Sequence, residues 1–363
     1  MSHKQLKISL VGCGAVSKLY YGPALLELER NSVVQVELLF DPNLANIREM
    51  QKLFPSARSV NTLDEIALGG ADIAIIASPP PFHAQQTIQL LNAGISVLCE
   101  KPMAASLAEA EAMIEAASAA KGLLSIGLFR RFFPAAQMIR KILSLGILGE
   151  LKHFSFSEGG QFQWPVQSPA YFKKATSGGG VLLDVGVHVL DLMIWWFGYP
   201  AEFSYEDDAM GGIEVNCLLK LQFSQEFTGE VRLSRDCDLP NRYLIEGSKG
   251  WMSWTVNDAV DKIQMGFKDA AFALDAQIHD VNPKNPFTLQ DFSNNFEQSF
   301  ISQICNLIAA LKGEEALLNT SEEAVKSLRL IEACYKNRSL MNMPWLSDLE
   351  SERANQLKNE ILC

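Results

Sequence analysis

The run from Lys7 to Ser17 constrains this chain most. An apolar stretch, Lys7 to Val11, enters Gly12-Cys13-Gly14-Ala15-Val16-Ser17 without a break, and a helical pattern through Leu19, Leu25, Leu26 and Leu28 follows. Strand, glycine turn and helix in that order open a dinucleotide-binding unit. Gly12 allows the tight turn, Gly14 lets the backbone approach a pyrophosphate, and a small third residue, here Ser17, lets the helix pack close on the strand. A glycine turn that serves packing alone has the same residues, so the context matters. Val34 to Phe40 is a second strand, tipped by Asp41-Pro42. A carboxylate there accepts hydrogen bonds from a ribose diol and repels a 2′-phosphate, which favours NAD over NADP. Asp41 equally suits a turn cap before Pro42.

Strand and helix then alternate. A helix bears Leu44, Ile47, Met50 and Leu53 on one face, and Thr62-Leu63-Asp64-Glu65 is a capping box for a short helix. Asp72 to Ala77 is a core strand broken by Ser78-Pro79-Pro80-Pro81, Phe82 to Asn92 is helical, and Ile95 to Cys99 is the next strand. A second capping box, Ser106-Leu107-Ala108-Glu109, opens an alanine-rich helix, and Leu123 to Leu128 is a further strand. This alternation predicts parallel strands joined by right-handed crossovers. The fold class is α/β, with an N-terminal Rossmann domain over residues 1–128.

After about Phe129 the texture changes. A helix (Ala135 to Leu145) precedes a strand-like Leu151 to Phe162, a glycine-rich loop (Ser168 to Gly180) and a helix over Val181 to Phe197. Strand-like runs follow at hairpin spacing: Gly212 to Phe223, Glu226 to Ser234, Arg242 to Glu246, Gly250 to Thr255 and Lys262 to Phe267. Strands in series with short turns predict a mostly antiparallel sheet. Asn282 to Pro286 reads as a loop; Phe292 to Leu311 and Ser321 to Asn337 read as helices. The second domain is placed at 129–345, and the charged tail, 346–363, reads as a surface helix.

Composition removes several function classes. The 363 residues carry a formal net charge of −11, which argues against nucleic acid or an anionic membrane as the main partner. The seven cysteines form no C-x-x-C pair and read as reduced thiols. No apolar signal core precedes the first strand, and the apolar run Val189 to Phe197 is too short to span a bilayer and contains Asp191. A cytoplasmic protein is expected.

Three further stretches carry candidate chemistry. In Val97-Leu98-Cys99-Glu100-Lys101-Pro102, Pro102 disfavours helical geometry at Lys101, which holds a lysine extended at the carboxyl edge of the sheet, where open α/β sheets bind ligands. A solvated lysine at a strand end is the plain alternative. Ser78-Pro79-Pro80 fixes an extended loop that could wall a nicotinamide pocket or simply end the strand, and His83 follows. In Gly178-Gly179-Gly180-Val181-Leu182-Leu183-Asp184-Val185-Gly186-Val187-His188, Asp184 and His188 are spaced to share a helix face within an apolar segment. A carboxylate beside an imidazole orients it and supports its protonated form. The glycines upstream would let backbone approach a ligand. Alternatively, Asp184 is a cap and His188 a satisfied core histidine. No further His or Cys cluster completes a metal site there.

With these motifs in this order and spacing, the chain resembles the glucose–fructose oxidoreductase/inositol dehydrogenase (Gfo/Idh/MocA) family over nearly its whole length. The resemblance rests on Gly12-Cys13-Gly14, Ser78-Pro79 with His83, Glu100-Lys101-Pro102, and Gly179-Gly180 leading to Asp184 and His188. It implies a Rossmann domain followed by an α/β domain whose large open sheet bears the substrate site and builds homodimers or homotetramers. It places Lys101, Asp184 and His188 on catalytic positions. His188 is the implied base, Lys101 the alkoxide stabiliser and Asp184 a residue that orients His188 or binds a hydroxyl. The implied cofactor positions are Gly12, Gly14, Ala15, Val16, Asp41, Ser78, Pro79, His83, Glu100 and Lys101, with Glu100 on the nicotinamide side. The implied substrate positions are Lys101, Arg130, Asp184 and His188. Arg130 and Arg131 suit a substrate hydroxyl or phosphate, or a salt bridge near the hinge. Trp164, Tyr171, Lys173 and Lys174 lie where substrate contacts vary. The expected activity is NAD(P)-dependent hydride transfer, with NAD favoured over NADP, at a carbinol or carbonyl carbon of a sugar, nucleotide sugar or cyclitol. A non-catalytic regulatory protein of the same fold, or an oxidoreductase of a non-sugar substrate, is the competing reading.

Overall fold

The alternating strands and helices of the N-terminal third assemble into one parallel sheet. The computed structural model describes residues 5–165, 172–224, 226–256, 263–270, 272–276 and 295–360. Strands β1 (Leu6–Val11), β2 (Val34–Phe40), β3 (Arg58–Ser59), β4 (Ile73–Ile76), β5 (Ser96–Cys99) and β6 (Leu124–Ile126) lie in the order β3-β2-β1-β4-β5-β6, every pair parallel. Crossovers carry helices α1 (Gly22–Arg30), α2 (Leu44–Leu53), α3 (Leu63–Leu68), α4 (His83–Asn92) and α5 (Leu107–Ala119). β4 and β5 are buried at every residue, which is why they read as continuous apolar runs. The strand order reverses between β1 and β4. The ladder continues past the strand ends: the Ala77 N–H donates to the Val11 carbonyl (2.7 Å) and the Glu100 N–H to that of Ile76 (2.8 Å). The ends that lead to Gly12, Ser78 and Lys101 therefore lie side by side at the switch point where such sheets bind ligands.

The sheet belongs to the first of two compact units, which comprises Met1–Phe132, Pro165–Gln167 and Gln290–Leu328. The first unit thus extends past residue 128 and takes back a segment that the sequence pattern assigns to the second domain. Its helix α9 (Asn295–Leu311) does this through aromatic packing: Phe300 stacks on Tyr20 (4.9 Å) and Phe129 (5.0 Å) and meets Tyr21 edge-on (4.9 Å). Burying one such ring contributes about 2 kcal/mol.

The second unit comprises Phe133–Trp164, Ser168–Leu289 and Arg329–Cys363. Its strands are β7 (Leu151–Gly159), β8 (Glu202–Asp207), β9 (Asn216–Gln222), β10 (Thr228–Ser234), β11 (Arg242–Gly247), β12 (Gly250–Thr255), β13 (Ile263–Phe267), β14 (Ala273–Ala276) and β15 (Arg338–Leu340). They form a nine-stranded sheet in the order β14-β13-β12-β11-β7-β10-β9-β8-β15. It is mostly antiparallel, with parallel pairs at β7/β10 and β8/β15. Helices α6 (Pro134–Ser144), α7 (Lys174–Ser177), α8 (Val187–Phe197) and α11 (Asp348–Glu360) belong to this unit, and α10 (Ser321–Lys336) crosses the boundary in sequence. Alternation along β7 buries Phe154, Phe156 and Glu158 on one face, and Phe156 stacks on Tyr243 (4.3 Å) and meets Trp196 edge-on (5.9 Å). The other face is polar, with exposed Thr228, Arg232 and Lys220. The segment read as one helix from Val181 opens instead as a π-helical turn, Leu182–Gly186, before α8. A second π turn, Ser17–Tyr21, precedes α1. Tyr171, the loop at Asn282 to Pro286 and the first residues of the helix read from Phe292 lie outside the described residues. Among the described residues, no helix is long and apolar enough to cross a membrane.

Candidate active site

At the first turn the two glycines differ. Gly12 has φ +89°, and a Cβ there would lie 2.5 Å from the Ser78 backbone nitrogen, so only glycine lets β1 and β4 end this close together. Around Gly14 a Cβ would meet nothing within 4 Å. That open side, at the start of a helix, suits a phosphate group. Ser17 is buried, and its hydroxyl donates to the Gly12 carbonyl (2.6 Å), tying the helix to the turn. Ala15 and Val16 are the first helical residues after the turn. Burial pushes the Cys13 thiol up to about 12, with the nearby Asp41 adding to the shift.

Asp41 organises the end of β2. Its Oδ2 accepts from the Cys13 N–H (2.8 Å) and the Asn46 amide (3.1 Å), and its Oδ1 from the Asn43 N–H (2.7 Å). The turn-capping role is therefore real. A carboxylate offers about four acceptor positions, so Oδ1 retains one for a ribose hydroxyl. Lys18 stands beside it, its ammonium on the Asn46 side-chain oxygen (2.7 Å).

At the ends of β4 and β5, His83 acts as a strut. Its Nδ1 lies 2.9 Å from the Pro102 carbonyl and its Nε2 2.7 Å from the Ser78 carbonyl. Burial pushes its pKa down, against the raising effect of the two carbonyl acceptors. Ser78 itself donates its hydroxyl to Gln86 (2.6 Å), and Pro79 continues the extended loop. The Lys101–Pro102 peptide is cis, and Lys101 is half-buried. Glu100 turns inward: its Oε1 accepts from the Tyr21 hydroxyl (2.7 Å) and its Oε2 from the Lys101 N–H (3.1 Å). Gln303 of α9 donates to the same Tyr21 oxygen (3.2 Å). Burial raises the Glu100 pKa against the lowering effect of the Tyr21 bond and the Lys101 charge. Arg130 is buried in the 3₁₀ turn Phe129–Phe132, and Arg131 donates to the Leu318 carbonyl (3.1 Å).

In the second unit Gly179 and Gly180 make room for other parts of this chain. A Cβ at Gly180 would lie 1.9 Å from the Glu214 carbonyl oxygen, and one at Gly179 would lie 2.2 Å from the Tyr335 hydroxyl. They admit a brace from this chain. Glu214 is buried, and its Oε1 accepts from the N–H groups of Gly180 and Leu182 (3.0 Å each) and from the Tyr335 hydroxyl (2.7 Å). A carboxylate at a helix start also meets the positive end of the helix dipole. The braced segment carries Asp184 on the π turn and His188, buried, in the first turn of α8. Asp184 forms an ion pair with Arg235, which follows β10. Trp164 is half-buried, Lys173 is exposed, and burial lowers the pKa of Lys174. Sequence reading missed Tyr21, Glu214, Arg235 and Tyr335. Each is a polar residue at the edge of an apolar segment, which is a signal, but its partner is far away in sequence. Among the described residues, no group of three His, Cys, Asp or Glu could hold a metal ion.

A family model described as an oxidoreductase family with an NAD-binding Rossmann fold matches residues 6–128, and the same family's C-terminal domain model matches residues 136–253. The chain belongs to the Gfo/Idh/MocA family. Within that family it is 31% identical to the rhizopine catabolism protein MocA of Rhizobium meliloti over 204 residues, 55% of this chain and 60% of that protein. The match thus spans less than two thirds of MocA's length. It is 29% identical to the scyllo-inositol 2-dehydrogenase (NADP(+)) IolW of Bacillus subtilis over 54% of this chain and 52% of that enzyme. It is 27% identical to the trans-1,2-dihydrobenzene-1,2-diol dehydrogenase of Macaca fascicularis over 68% of this chain and 73% of that enzyme. The solved levoglucosan dehydrogenase, in complex with NADH and levoglucosan, shares the fold at a TM-score of 0.78 and 18% identity, over 92% of this chain and 98% of that one. Gfo/Idh/MocA members bind NAD(P), and the relatives named here include dehydrogenases.

Proposed function

We propose that the protein is an NAD-preferring dehydrogenase that moves a hydride between nicotinamide and a carbinol or carbonyl carbon of a polyhydroxylated substrate: a sugar, nucleotide sugar or cyclitol. The observation that carries this reading is one switch point at which the Gly12–Gly14 turn, open at Gly14, and Lys101 stand on strand ends of the same sheet. NAD, when bound, accepts or returns the hydride. The turn from Gly12 to Val16 holds its phosphates, Asp41 takes the ribose through its remaining acceptor position, and Ser78, Pro79 and His83 shape the loop beside the nicotinamide. Lys101 stabilises the alkoxide that develops as the hydride leaves. His188 takes the hydroxyl proton, as imidazole does readily near neutral pH. Asp184 holds His188 or a neighbouring hydroxyl, and Arg130 contributes a substrate contact. Glu100 supports this reading from beneath, by fixing the backbone of Lys101. A purely regulatory protein has no need of Lys101, Asp184 and His188 together. We also infer a cytoplasmic homodimer or homotetramer built on the polar face of the second sheet; light scattering that gives a monomer mass would overturn that assembly.

Lys101→Ala is expected to keep NAD(H) affinity, read by fluorescence titration, while turnover falls about a hundredfold or more. Unchanged turnover on the true substrate removes Lys101 from the chemistry. Titration with NAD and NADP is expected to favour NAD; comparable binding would show that Asp41 does not select. A panel of inositols, aldoses, nucleotide sugars and dihydrodiols separates the substrate classes; dihydrodiols belong in it because the dihydrodiol dehydrogenase of Macaca fascicularis aligns with 68% of this chain, more than MocA (55%) or IolW (54%).

A further inference from the structure

We propose that Asn46 is a positioning residue for cofactor selection. Its amide stands between Asp41 and Lys18 and keeps that anion and cation from pairing, so that an unneutralised carboxylate meets the 2′ position of the adenosine ribose. The inference rests on the NAD preference proposed above and names the residues that maintain it.

Asn46 breaks the pattern of its helix. It lies on the buried side of α2 with Ile47 and Met50, one turn past the Asn43 cap, and is only 8% exposed. A buried polar group is costly unless it is bonded, and both ends of this amide are bonded. Nδ2 donates to Asp41 Oδ2 (3.1 Å), and Oδ1 accepts from the Lys18 ammonium (2.7 Å). Charge therefore orients the amide: reversed, it would set an NH2 group against an ammonium and a carbonyl against a carboxylate. Lys18 approaches from a fixed backbone, its N–H donating to the Gly14 carbonyl (3.0 Å). Beyond burial, the Cys13 thiol feels both charges, Asp41 raising its pKa and Lys18 lowering it. The anion and the cation thus flank one turn, a single amide apart.

An ammonium on a flexible four-carbon stem closes on a nearby carboxylate unless something better holds it. Here the Asn46 oxygen holds it. The Cys13 and Asn43 N–H groups would keep Asp41 in place without the amide, so what Asn46 adds is separation, not support. An Asp41–Lys18 ion pair would still accept a bond from a ribose hydroxyl. It would no longer carry the net negative charge that repels the 2′-phosphate of NADP. Selection thus depends on a residue that carries no charge of its own.

The test is calorimetric titration of the full-length protein with NAD and with NADP, which reads binding and needs no turnover. The wild type is expected to bind NAD more tightly. Asn46→Ala is expected to cut the preference for NAD over NADP about tenfold, the scale of neutralising one charge at a few ångströms near a protein surface. Lys18→Ala alone is expected to leave the preference equal or larger, because it removes only the cation. The double variant Lys18→Ala/Asn46→Ala is expected to recover the wild-type preference to within about twofold; a loss of mere structural support would persist in it. An unchanged preference in Asn46→Ala, a fall in Lys18→Ala, or a double variant that keeps the full loss overturns this inference alone. A wild type that binds both cofactors alike, or neither, overturns the proposed NAD preference and this inference with it. Should Asn46→Ala fail to fold, Asn46→Leu, which fills the same buried space, decides by the same ratios.

Discussion

Each unit braces its candidate residues from beneath with a buried glutamate bonded to a tyrosine hydroxyl. Tyr21 donates to Glu100 and Tyr335 to Glu214, both at 2.7 Å, and burial raises the pKa of both glutamates. The supports differ in reach. Glu100 is the chain neighbour of Lys101 and holds that residue's own N–H. Glu214 takes hold of the backbone at Gly180 and Leu182 from a distant loop, and is itself held by a tyrosine of α10. They also differ in redundancy. Glu214 accepts two backbone donors besides its tyrosine, whereas Glu100 accepts one. A local brace can thus be read from the motif that it supports, and a long-range brace cannot.

The largest effect is expected at the long-range brace. Gly180→Ala drives a Cβ into the Glu214 carbonyl, a backbone clash that no rotamer relieves. It should destabilise the protein by about 3 kcal/mol, measured by denaturant unfolding; a loss below about 0.5 kcal/mol would mean that the brace is slack. Next come the tyrosines. Tyr21→Phe should cost about 2 kcal/mol and Tyr335→Phe about 1 kcal/mol, because the hydroxyl lost at Glu100 was one of two donors and that lost at Glu214 one of three. The reverse order would break the comparison.

The smallest effect is a pH slope. A carboxyl group whose folded pKa is raised contributes stability that is fully present below its unfolded pKa, about 4.3, and lost as pH rises through the folded value. Unfolding titrations from pH 4 upward should show this loss in the wild type and a flatter curve in Glu100→Gln. Superimposable curves would show that ionising Glu100 carries no penalty where it sits.

Most of the first unit was legible because its signals are local. The capping box at Thr62 is present with both of its bonds, and the buried parallel strands stand out as unbroken apolar runs. Strands β3, β14 and β15 escaped notice because two to four residues at a sheet edge carry no periodicity. The π turns at Ser17–Tyr21 and Leu182–Gly186 escaped for another reason: one extra residue in a helical turn leaves the apolar pattern nearly unchanged. At the candidate sites, chain-adjacent groups such as Glu100 and Lys101 were found, whereas Arg235 and Glu214 draw their meaning from partners that only the fold supplies.

The return of residues 290–328 to the first unit also gives synthesis an order. All six strands of the parallel sheet have been made once Ile126 is joined, but Phe300 and Gln303 follow only after most of the second unit. At ordinary translation speed that interval is on the order of ten seconds. Throughout it, the nascent sheet presents Tyr20, Tyr21 and Phe129 without the helix that later covers them. A ribosome that pauses in the second unit therefore holds out a finished nucleotide fold with a bare aromatic side, a surface that chaperones bind.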